Sequence, residues 1–204
     1  MKKYRFNIGL VLAALLITAC SKDDENPDLE TWKQQNEQAF RDLSYNPDYT
    51  ELHLPGSAGS IYYRVINTGE GKRIYYNSRA EVYYKGWFVV TNEDYKIKTG
   101  DIFGQRLFDD GIPYKISISS QVIDDNRTYP IWNEGCSIAL QYMVEGDKWE
   151  ILIPYRYGYK AAGTGSIPGY STLAYEIELI KAIDPDEFDW SNSSSSSDDS
   201  YYYY

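Results

Sequence analysis

Five runs rich in tyrosine, isoleucine and valine constrain the fold most strongly, because these residue types favour extended strands. One longer helical patch interrupts the runs at residues 133–141, and Gly, Pro, Asn and Asp residues mark the turns between them. The pattern predicts an α+β domain in which an antiparallel β-sheet of five to six strands curls around one short α-helix. The runs lie at residues 61–67, 80–90, 114–119, 148–154 and 172–182.

The composition changes on both sides of this strand-rich region and predicts four segments. Residues 1–20 form a leader, residues 21–59 an acidic tether with an amphipathic helix, residues 60–183 the folded domain, and residues 184–204 a tail. The tail contains a serine run and four terminal tyrosines, and we expect it to be disordered because it has too little apolar surface to fold alone. A contact motif formed by the tyrosines is the alternative.

The N-terminal helix is expected from about residue 27 to residue 43. Asn26, Pro27 and Asp28 are typical of a helix start, and apolar residues recur after them at near-helical spacing. Such a helix can pack on the domain that follows it or contact a partner. A single short helix buries little surface, which favours packing on the domain.

The stretch from residue 132 to residue 180 combines a tryptophan, tyrosines, isoleucine-proline pairs and glycines, with no group arranged for acid, base or nucleophilic chemistry. It predicts a rigid aromatic pocket rather than a site of bond cleavage. Upstream, residues 80–86 (AEVYYKG) and Leu107-Phe108-Asp109 would add a tyrosine, a phenylalanine and one carboxylate to this pocket.

In chain order these pieces resemble the FKBP-type peptidyl-prolyl cis/trans isomerases. The order is YYKG, FD, W-N-E-G, M-x-x-G, IP-x-x-Y-x-Y and IP-x-x-S-T-L-x-Y-E-I-E-L, and together they extend over about residues 60–182. Each piece is common alone, whereas their order and spacing are specific. The alternative is an antiparallel β domain whose aromatic residues all belong to the core.

The resemblance implies a peptidyl-prolyl cis/trans isomerase with an FKBP-like fold and no cofactor, acting on proline-containing polypeptide clients. Trp132 would form the pocket floor beneath the prolyl ring, Tyr159 would offer its hydroxyl to the substrate backbone, and Asp109 would lie near the substrate carbonyl. The catalytic residues that the resemblance implies are Tyr84, Phe108, Asp109, Trp132 and Tyr159, and the substrate-binding residues are Tyr114, Val122, Ile123, Ile167 and Tyr175.

Two loops depart from the family pattern. Residues 124–131 stand where the family has one or two residues, and residues 87–106 lengthen the excursion after the tyrosine strand. These loops could block the pocket or tune catalysis, and they favour the rival function, a non-catalytic FKBP-fold binding or chaperone module on the cell envelope. Asp109 has its own alternative, because Asp110 and Gly111 after it are typical of a simple turn.

The leader resembles that of a bacterial lipoprotein. Three basic residues precede an apolar run at residues 8–17, which is too short to span a bilayer. Ile17-Thr18-Ala19-Cys20 resembles a lipobox, so Cys20 would be acylated and would anchor the protein in a lipid bilayer. By resemblance to better-studied lipoproteins, Ser21 disfavours retention at the inner membrane, and the acidic residues after it resemble signals for export to the outer-membrane surface. A plain solvated tether is the alternative for the acidic residues.

Charge and residue usage disfavour several other functions. With 20 Lys and Arg against 30 Asp and Glu, the chain has a net charge of −10, which disfavours nucleic acid as a partner. The single histidine, His53, makes a histidine-based triad or a zinc site unexpected, and no metal site is predicted. Cys136 is expected to be a buried small apolar residue, and the oligomeric state stays open.

Overall fold

The computed structural model of the protein describes residues 27–53, 59–118, 122–124, 127–130 and 132–184. The leader with Cys20 and the tail beyond Asp184 lie outside these residues. None of the described helices is long and apolar enough to cross a membrane. The described elements are α1 (Pro27–Ser44), β1 (Thr50–His53), β2 (Ser60–Asn67), β3 (Arg79–Phe88), β4 (Ile102–Arg106), a 3-10 turn (Phe108–Asp110), β5 (Tyr114–Ser117), β6 (Val122–Asp124), β7 (Arg127–Tyr129), α2 (Glu134–Leu140), β8 (Lys148–Ile153), a second 3-10 turn (Tyr155–Tyr157) and β9 (Leu173–Ile183).

Seven antiparallel strands form the main sheet. Its order is β1-β2-β8-β9-β3-β4, and β5 pairs with β3 beside β4. The strands β6 and β7 form a separate two-stranded hairpin. The predicted fold class is confirmed, and the ends of the five predicted runs differ from β2, β3, β5, β8 and β9 by at most two residues. The strands β1 and β4 and the β6–β7 hairpin were not predicted.

The helix α2 lies against one face of this sheet, and the core fills the space between them. Alternate residues of β8 point toward α2, because successive side chains of a strand point to opposite faces. A Cβ atom on Gly135 of α2 would lie 2.6 Å from Cγ2 of Ile153, so the helix approaches the strand closely where it lacks a side chain. Cys136 has no exposed surface, as expected, and Leu140 and Met143 have none either.

The helix α1 packs on the opposite face of the sheet. Tyr62 and Tyr63 are neighbours in β2 and therefore point to opposite faces. The Tyr63 ring stacks on Trp149 of β8 with centroids 4.3 Å apart, whereas the Tyr62 ring contacts Phe40 of α1 at 5.5 Å. Trp32 of α1 has no exposed surface. The structure therefore shows packing on the domain, the first of the two roles expected for this helix.

Candidate active site

A cluster of aromatic rings surrounds Trp132, which lies just before α2. The Trp132 ring meets Tyr84 of β3, Tyr175 of β9 and Tyr114 of β5 at centroid distances of 4.9, 5.4 and 6.1 Å, with interplanar angles of 67°, 83° and 69°. These are edge-to-face contacts, the geometry that aromatic pairs favour. We call these four residues the Trp132 cluster. Trp132 is 9% exposed and Tyr175 has no exposed surface, so the cluster is largely buried around Trp132.

Asn133 fixes the start of α2 and hence the position of Trp132. Its Oδ1 accepts a hydrogen bond from the Cys136 backbone N–H at 3.0 Å, which is a helix N-cap. Its Nδ2 donates to the Tyr175 hydroxyl at 3.1 Å. One buried side chain thus joins the helix end to a wall of the Trp132 cluster. Sequence analysis did not single out Asn133, although an asparagine before a helical patch is a typical cap signal.

Tyr159 extends the polar side of the Trp132 cluster. The Tyr175 hydroxyl accepts from Asn133 and donates to the Tyr159 hydroxyl at a distance of 3.4 Å, which is long for such a bond. Each tyrosine hydroxyl has a single proton to donate. Tyr159 therefore accepts in this chain and keeps its own proton for another acceptor.

Burial keeps these phenol groups neutral. The pKa of Tyr84 is raised to about 12, chiefly by desolvation and to a smaller extent by the neighbouring Tyr114 and Tyr159. Burial also raises the pKa of Tyr114 and Tyr159, and it raises the pKa of Tyr175 well above the ordinary value. The tyrosines of the site therefore stay uncharged at neutral pH.

Ile167, predicted to close one side of the site, lies in the loop that follows the second 3-10 turn. It is 7% exposed and belongs to the same buried apolar cluster as Trp132 and Tyr175. Thr164 and Ile167 exchange backbone hydrogen bonds of 2.9 and 2.8 Å. Gly163 has φ +69°, and a Cβ atom there would lie 2.4 Å from the Ile167 carbonyl oxygen, so this turn requires glycine.

Val122 and Ile123 lie in β6, where their backbone pairs with Tyr129 and Thr128 of β7. The extended loop at residues 124–131 thus contains the second strand of a hairpin. The backbone N–H of Ser117 in β5 donates to the Pro130 carbonyl at 3.1 Å, which ties the hairpin's end to the main sheet. The substrate contacts assigned to Val122 and Ile123 stay predictions.

The structure does not bring Phe108 and Asp109 to the Trp132 cluster. Phe108 is 71% exposed, and its ring contacts Tyr83 at 5.5 Å. Tyr83 and Tyr84 are neighbours in β3 and point to opposite faces of the sheet. Asp109 is exposed within a 3-10 turn that ends at Gly111, with φ +73°. The turn considered as the alternative for Asp109 is the arrangement observed.

The position of this turn follows from the strand register. Tyr84 pairs with Arg106 of β4, and Val82, two residues earlier, pairs with Tyr114 of β5. Seven residues, 107–113, therefore stand opposite the single residue Tyr83 and bulge out of the sheet. This bulge explains why a Phe-Asp pair close to the site in sequence lies on the other face of β3.

Phe103 of β4 supplies the phenylalanine that the site was expected to take from Phe108. Its ring contacts Tyr175 at 5.4 Å and Phe88 at 5.2 Å, both edge-to-face. A Cβ atom on Gly86 would lie 2.6 Å from the Phe103 ring, so the glycine of YYKG makes room for it. The signal missed in the sequence was the room that this glycine leaves for a phenylalanine on the next strand, where Gly86 itself pairs with Gly104.

Gly104, the residue after Phe103, faces the Tyr84 hydroxyl. A Cβ atom at this position would lie 3.5 Å from the hydroxyl oxygen. Because glycine has no side chain, Gly104 adds no polar group beside this hydroxyl. The polar edge of the site therefore consists of tyrosine hydroxyls, with Arg106 close enough to lower the pKa of Tyr84 against the effect of burial.

The long excursion at residues 87–106 lies against α1 at its tip. The Tyr95 ring contacts Trp32 with centroids 5.3 Å apart, and Asn92 Nδ2 donates to Gln35 Oε1 at 3.2 Å. Its returning strand carries Phe103 into the site. Across the described part of the chain, no group of three or more His, Cys, Asp and Glu side chains could hold a metal ion.

Comparison with known proteins yields relatives of one kind. The family model described as FKBP-type peptidyl-prolyl cis-trans isomerase matches residues 71–180. The chain is 33% identical over 124 residues to the FKBP-type 22 kDa peptidyl-prolyl cis-trans isomerase of Escherichia coli, covering 60% of this chain and 50% of that protein. It is 31% identical over 128 residues to an FK506-binding protein of Neisseria meningitidis, covering 62% of this chain and 99% of that protein.

A solved structure supports the same relationship. The peptidyl-prolyl cis-trans isomerase of Pseudomonas syringae superposes with a TM-score of 0.58 at 27% identity, over 76% of this chain and 96% of that one. The chain spans about half the length of its Escherichia coli relative. The family model covers more than half of the chain, and the chain belongs to the FKBP-type peptidyl-prolyl cis-trans isomerase family.

Proposed function

We propose that the protein catalyses cis/trans isomerisation of Xaa-Pro peptide bonds by non-covalent stabilisation of the twisted amide over Trp132. The observation that supports this most directly is the edge-to-face packing of three tyrosine rings around Trp132 in a member of this family. The roles of Tyr84, Trp132, Tyr159 and the substrate-binding residues are part of the proposal.

The chemistry of the reaction suits such a pocket. Rotation about a peptide bond must cross a barrier of about 18 to 20 kcal/mol, which the partial double bond of the amide creates. No covalent bond breaks, so a catalyst needs only to bind the twisted amide better than either planar isomer. The twisted amide is less polar than the planar forms. A dry apolar pocket removes the water that favours the planar amide.

The described side chains divide this task. The Trp132 ring supports the apolar prolyl ring, while Tyr84 and the buried Tyr175 hold the Trp132 ring in place through edge-to-face contacts. Tyr159, whose hydroxyl accepts from Tyr175, directs its own proton to a backbone carbonyl of the substrate. Because the phenol groups are neutral, none of these contacts places a charge beside the twisting amide.

The setting of the activity is the second part of the proposal. The protein is a lipoprotein of the cell envelope, held by acylated Cys20 at the outer membrane, and its clients are proline-containing polypeptides that fold outside the cytoplasm. The leader residues 1–20 and the acidic residues after Cys20 support this location.

The test is the isomerisation rate of short Xaa-Pro peptides with the purified full chain, beside Trp132→Ala and Tyr159→Phe. We expect the wild type to accelerate isomerisation, Trp132→Ala to lose most of the acceleration and Tyr159→Phe to lose part of it. A folded wild type that leaves the rate unchanged would exclude the enzyme. If that protein still bound prolyl peptides, the rival function of an FKBP-fold binding module would replace it.

A further inference from the structure

Buried hydrogen bonds tie α1 to a short segment at residues 169–172. Trp32 Nε1 donates to the Gly169 carbonyl at 2.9 Å. Asn36 Oδ1 accepts from the Thr172 backbone N–H at 2.7 Å, and Thr172 Oγ1 donates to the Asn36 carbonyl at 2.9 Å. Trp32 and Asn36 have no exposed surface, and Thr172 is 1% exposed. Breaking such bonds leaves buried polar groups unpaired, which is unfavourable.

The anchored segment lies between two residues of the site. Gly169 comes two residues after Ile167, and Thr172 comes three residues before Tyr175. The two contacts with α1 therefore fix the backbone that connects one wall of the site to another.

Contacts between its two ends close the loop before this segment. The Tyr170 backbone N–H donates to the Lys160 carbonyl at 2.9 Å. A Cβ atom on Gly169 would lie 2.0 Å from the Ala161 carbonyl oxygen, which shows how closely the two ends of the loop approach. Fixing Gly169 thus also fixes the segment that follows Tyr159.

A second segment that leads to the site contacts α1 from another side. The long β3–β4 excursion contacts α1 through Tyr95 and Asn92. Phe88, where the excursion begins, contacts Phe103, and Phe103 contacts Tyr175. The helix therefore joins two segments that both lead into the site.

We propose that α1 is a positioning element of the active site, in which Trp32 and Asn36 hold residues 167–175 in the geometry that receives the prolyl ring. This inference rests on the proposed isomerase activity. Without the two anchors, only a fraction of the folded molecules has the competent geometry, and the apparent affinity for substrate falls by that fraction. The loss therefore affects KM and leaves kcat nearly unchanged.

The experiment measures KM and kcat separately for a short Xaa-Pro peptide, using the full chain at a temperature where thermal unfolding shows every variant to be folded. Trp32→Phe removes the indole N–H. Asn36→Ala removes the side-chain oxygen that accepts from the Thr172 backbone N–H, and Thr172→Val removes the hydroxyl that donates to the Asn36 carbonyl. We expect each to raise KM about fivefold or more while kcat stays within about twofold. Thr172→Ser retains the hydroxyl and should restore the wild-type KM.

Gln34→Ala is the matched control on the same helix. Its exposed side chain bonds to Glu30 within α1 at 2.9 Å, so we expect its KM to equal that of the wild type. An equal rise of KM in Gln34→Ala, or an unchanged KM in Asn36→Ala and Trp32→Phe, would overturn the inference.

Amide hydrogen exchange tests the same inference without using activity. In Asn36→Ala, amides of residues 159–175 should exchange faster, while those of β5 keep the wild-type rate. If the wild type failed to accelerate isomerisation, the proposed function would fall and the exchange rates alone would decide. Faster exchange confined to residues 159–175 would still support positioning by α1, and unchanged exchange would refute it.

Discussion

Phe103 and Phe108 make opposite predictions for the same truncation. Phe103→Ala removes a ring that packs edge-to-face on Tyr175, and we expect kcat/KM to fall about tenfold. Phe108→Ala removes a ring that is 71% exposed and contacts Tyr83 on the other face of β3, and we expect a change of less than about twofold. Isomerisation kinetics of the two variants provide the comparison. A larger loss in Phe108→Ala would contradict the site described.

The buried phenols predict how the protein responds to pH. Because burial raises the pKa of Tyr84 to about 12 and raises that of Tyr175 well above its ordinary value, we expect kcat/KM to be flat from about pH 6 to about pH 9. A tyrosine pKa that is higher in the folded state contributes stability below about pH 10, and this contribution disappears as pH rises toward about 12. Urea unfolding midpoints should therefore fall above about pH 10.

Tyr84→Phe is the matched variant for this pH effect. It keeps the ring that contacts Trp132 at 4.9 Å and removes one group that must ionise. Its urea midpoint should fall less between about pH 9 and about pH 11 than that of the wild type. An equal fall in both proteins would show that Tyr84 does not contribute to the alkaline loss of stability.

Most residues of the candidate site could be predicted from the sequence, because they lie in the same motifs that predict the strands and the helix. Tyr84, Trp132, Tyr159 and Tyr175 lie in or beside strands and a helix that the patterns predicted, and the structure brings them together. Phe108 was selected because it forms a Phe-Asp pair, which is too short a motif to fix a strand register. Only the pairing of β3 with β4 shows which phenylalanine faces the cluster.

Close approach between α2 and β8 gives a prediction at the level of elements. Gly135→Ala would place a Cβ atom 2.6 Å from Cγ2 of Ile153 in a fully buried contact. Alanine is the better helix former, but overpacking a close contact costs about 1 to 3 kcal/mol, so we expect a net loss of stability. Chemical denaturation of the purified variant measures it.

Gly104→Ala is the control for that substitution. Its added Cβ atom would meet Tyr84 at 3.5 and 3.7 Å, which is ordinary contact distance, and its strand geometry suits alanine. We expect no loss in the free energy of unfolding. If both alanine variants unfolded at the same urea concentration as the wild type, the close packing of α2 on β8 would be contradicted.

Elements that the sequence did not predict share a physical cause. β1 has the sequence TELH and β4 the sequence IFGQR, and neither short strand shows clear alternation of apolar and polar residues. Each becomes a strand because a longer neighbour offers unpaired backbone groups: β2 for β1, and β3 for β4. Long-range pairing of this kind leaves a weak local signal, in contrast to the alternating apolar residues of β8.

At the scale of the whole molecule, α1 connects the proposed anchor to the proposed site. Six residues lie between Cys20 and Pro27, where the helix begins, and a chain of that length spans at most about 25 Å from Cys20 to Pro27. Trp32 bonds to Gly169 and Phe40 packs on Tyr62 of β2, so the folded domain stays attached to the helix. An acylated Cys20 would therefore hold the site close to the membrane surface and not at the end of a long flexible linker.

The anchor itself gives a prediction that depends on one sulfur atom. In cells that make the full chain, we expect the wild type in the membrane fraction and Cys20→Ser in the soluble fraction, because acyl chains supply the membrane affinity. Labelled fatty acid should enter the wild type and not Cys20→Ser. Cys136→Ala removes the other cysteine, which has no exposed surface, and should leave both labelling and fractionation unchanged. If Cys20→Ser stayed in the membrane fraction after a high-salt wash, or if Cys136→Ala lost the label, lipidation at Cys20 would be refuted, and the membrane-proximal placement of the site would fall with it.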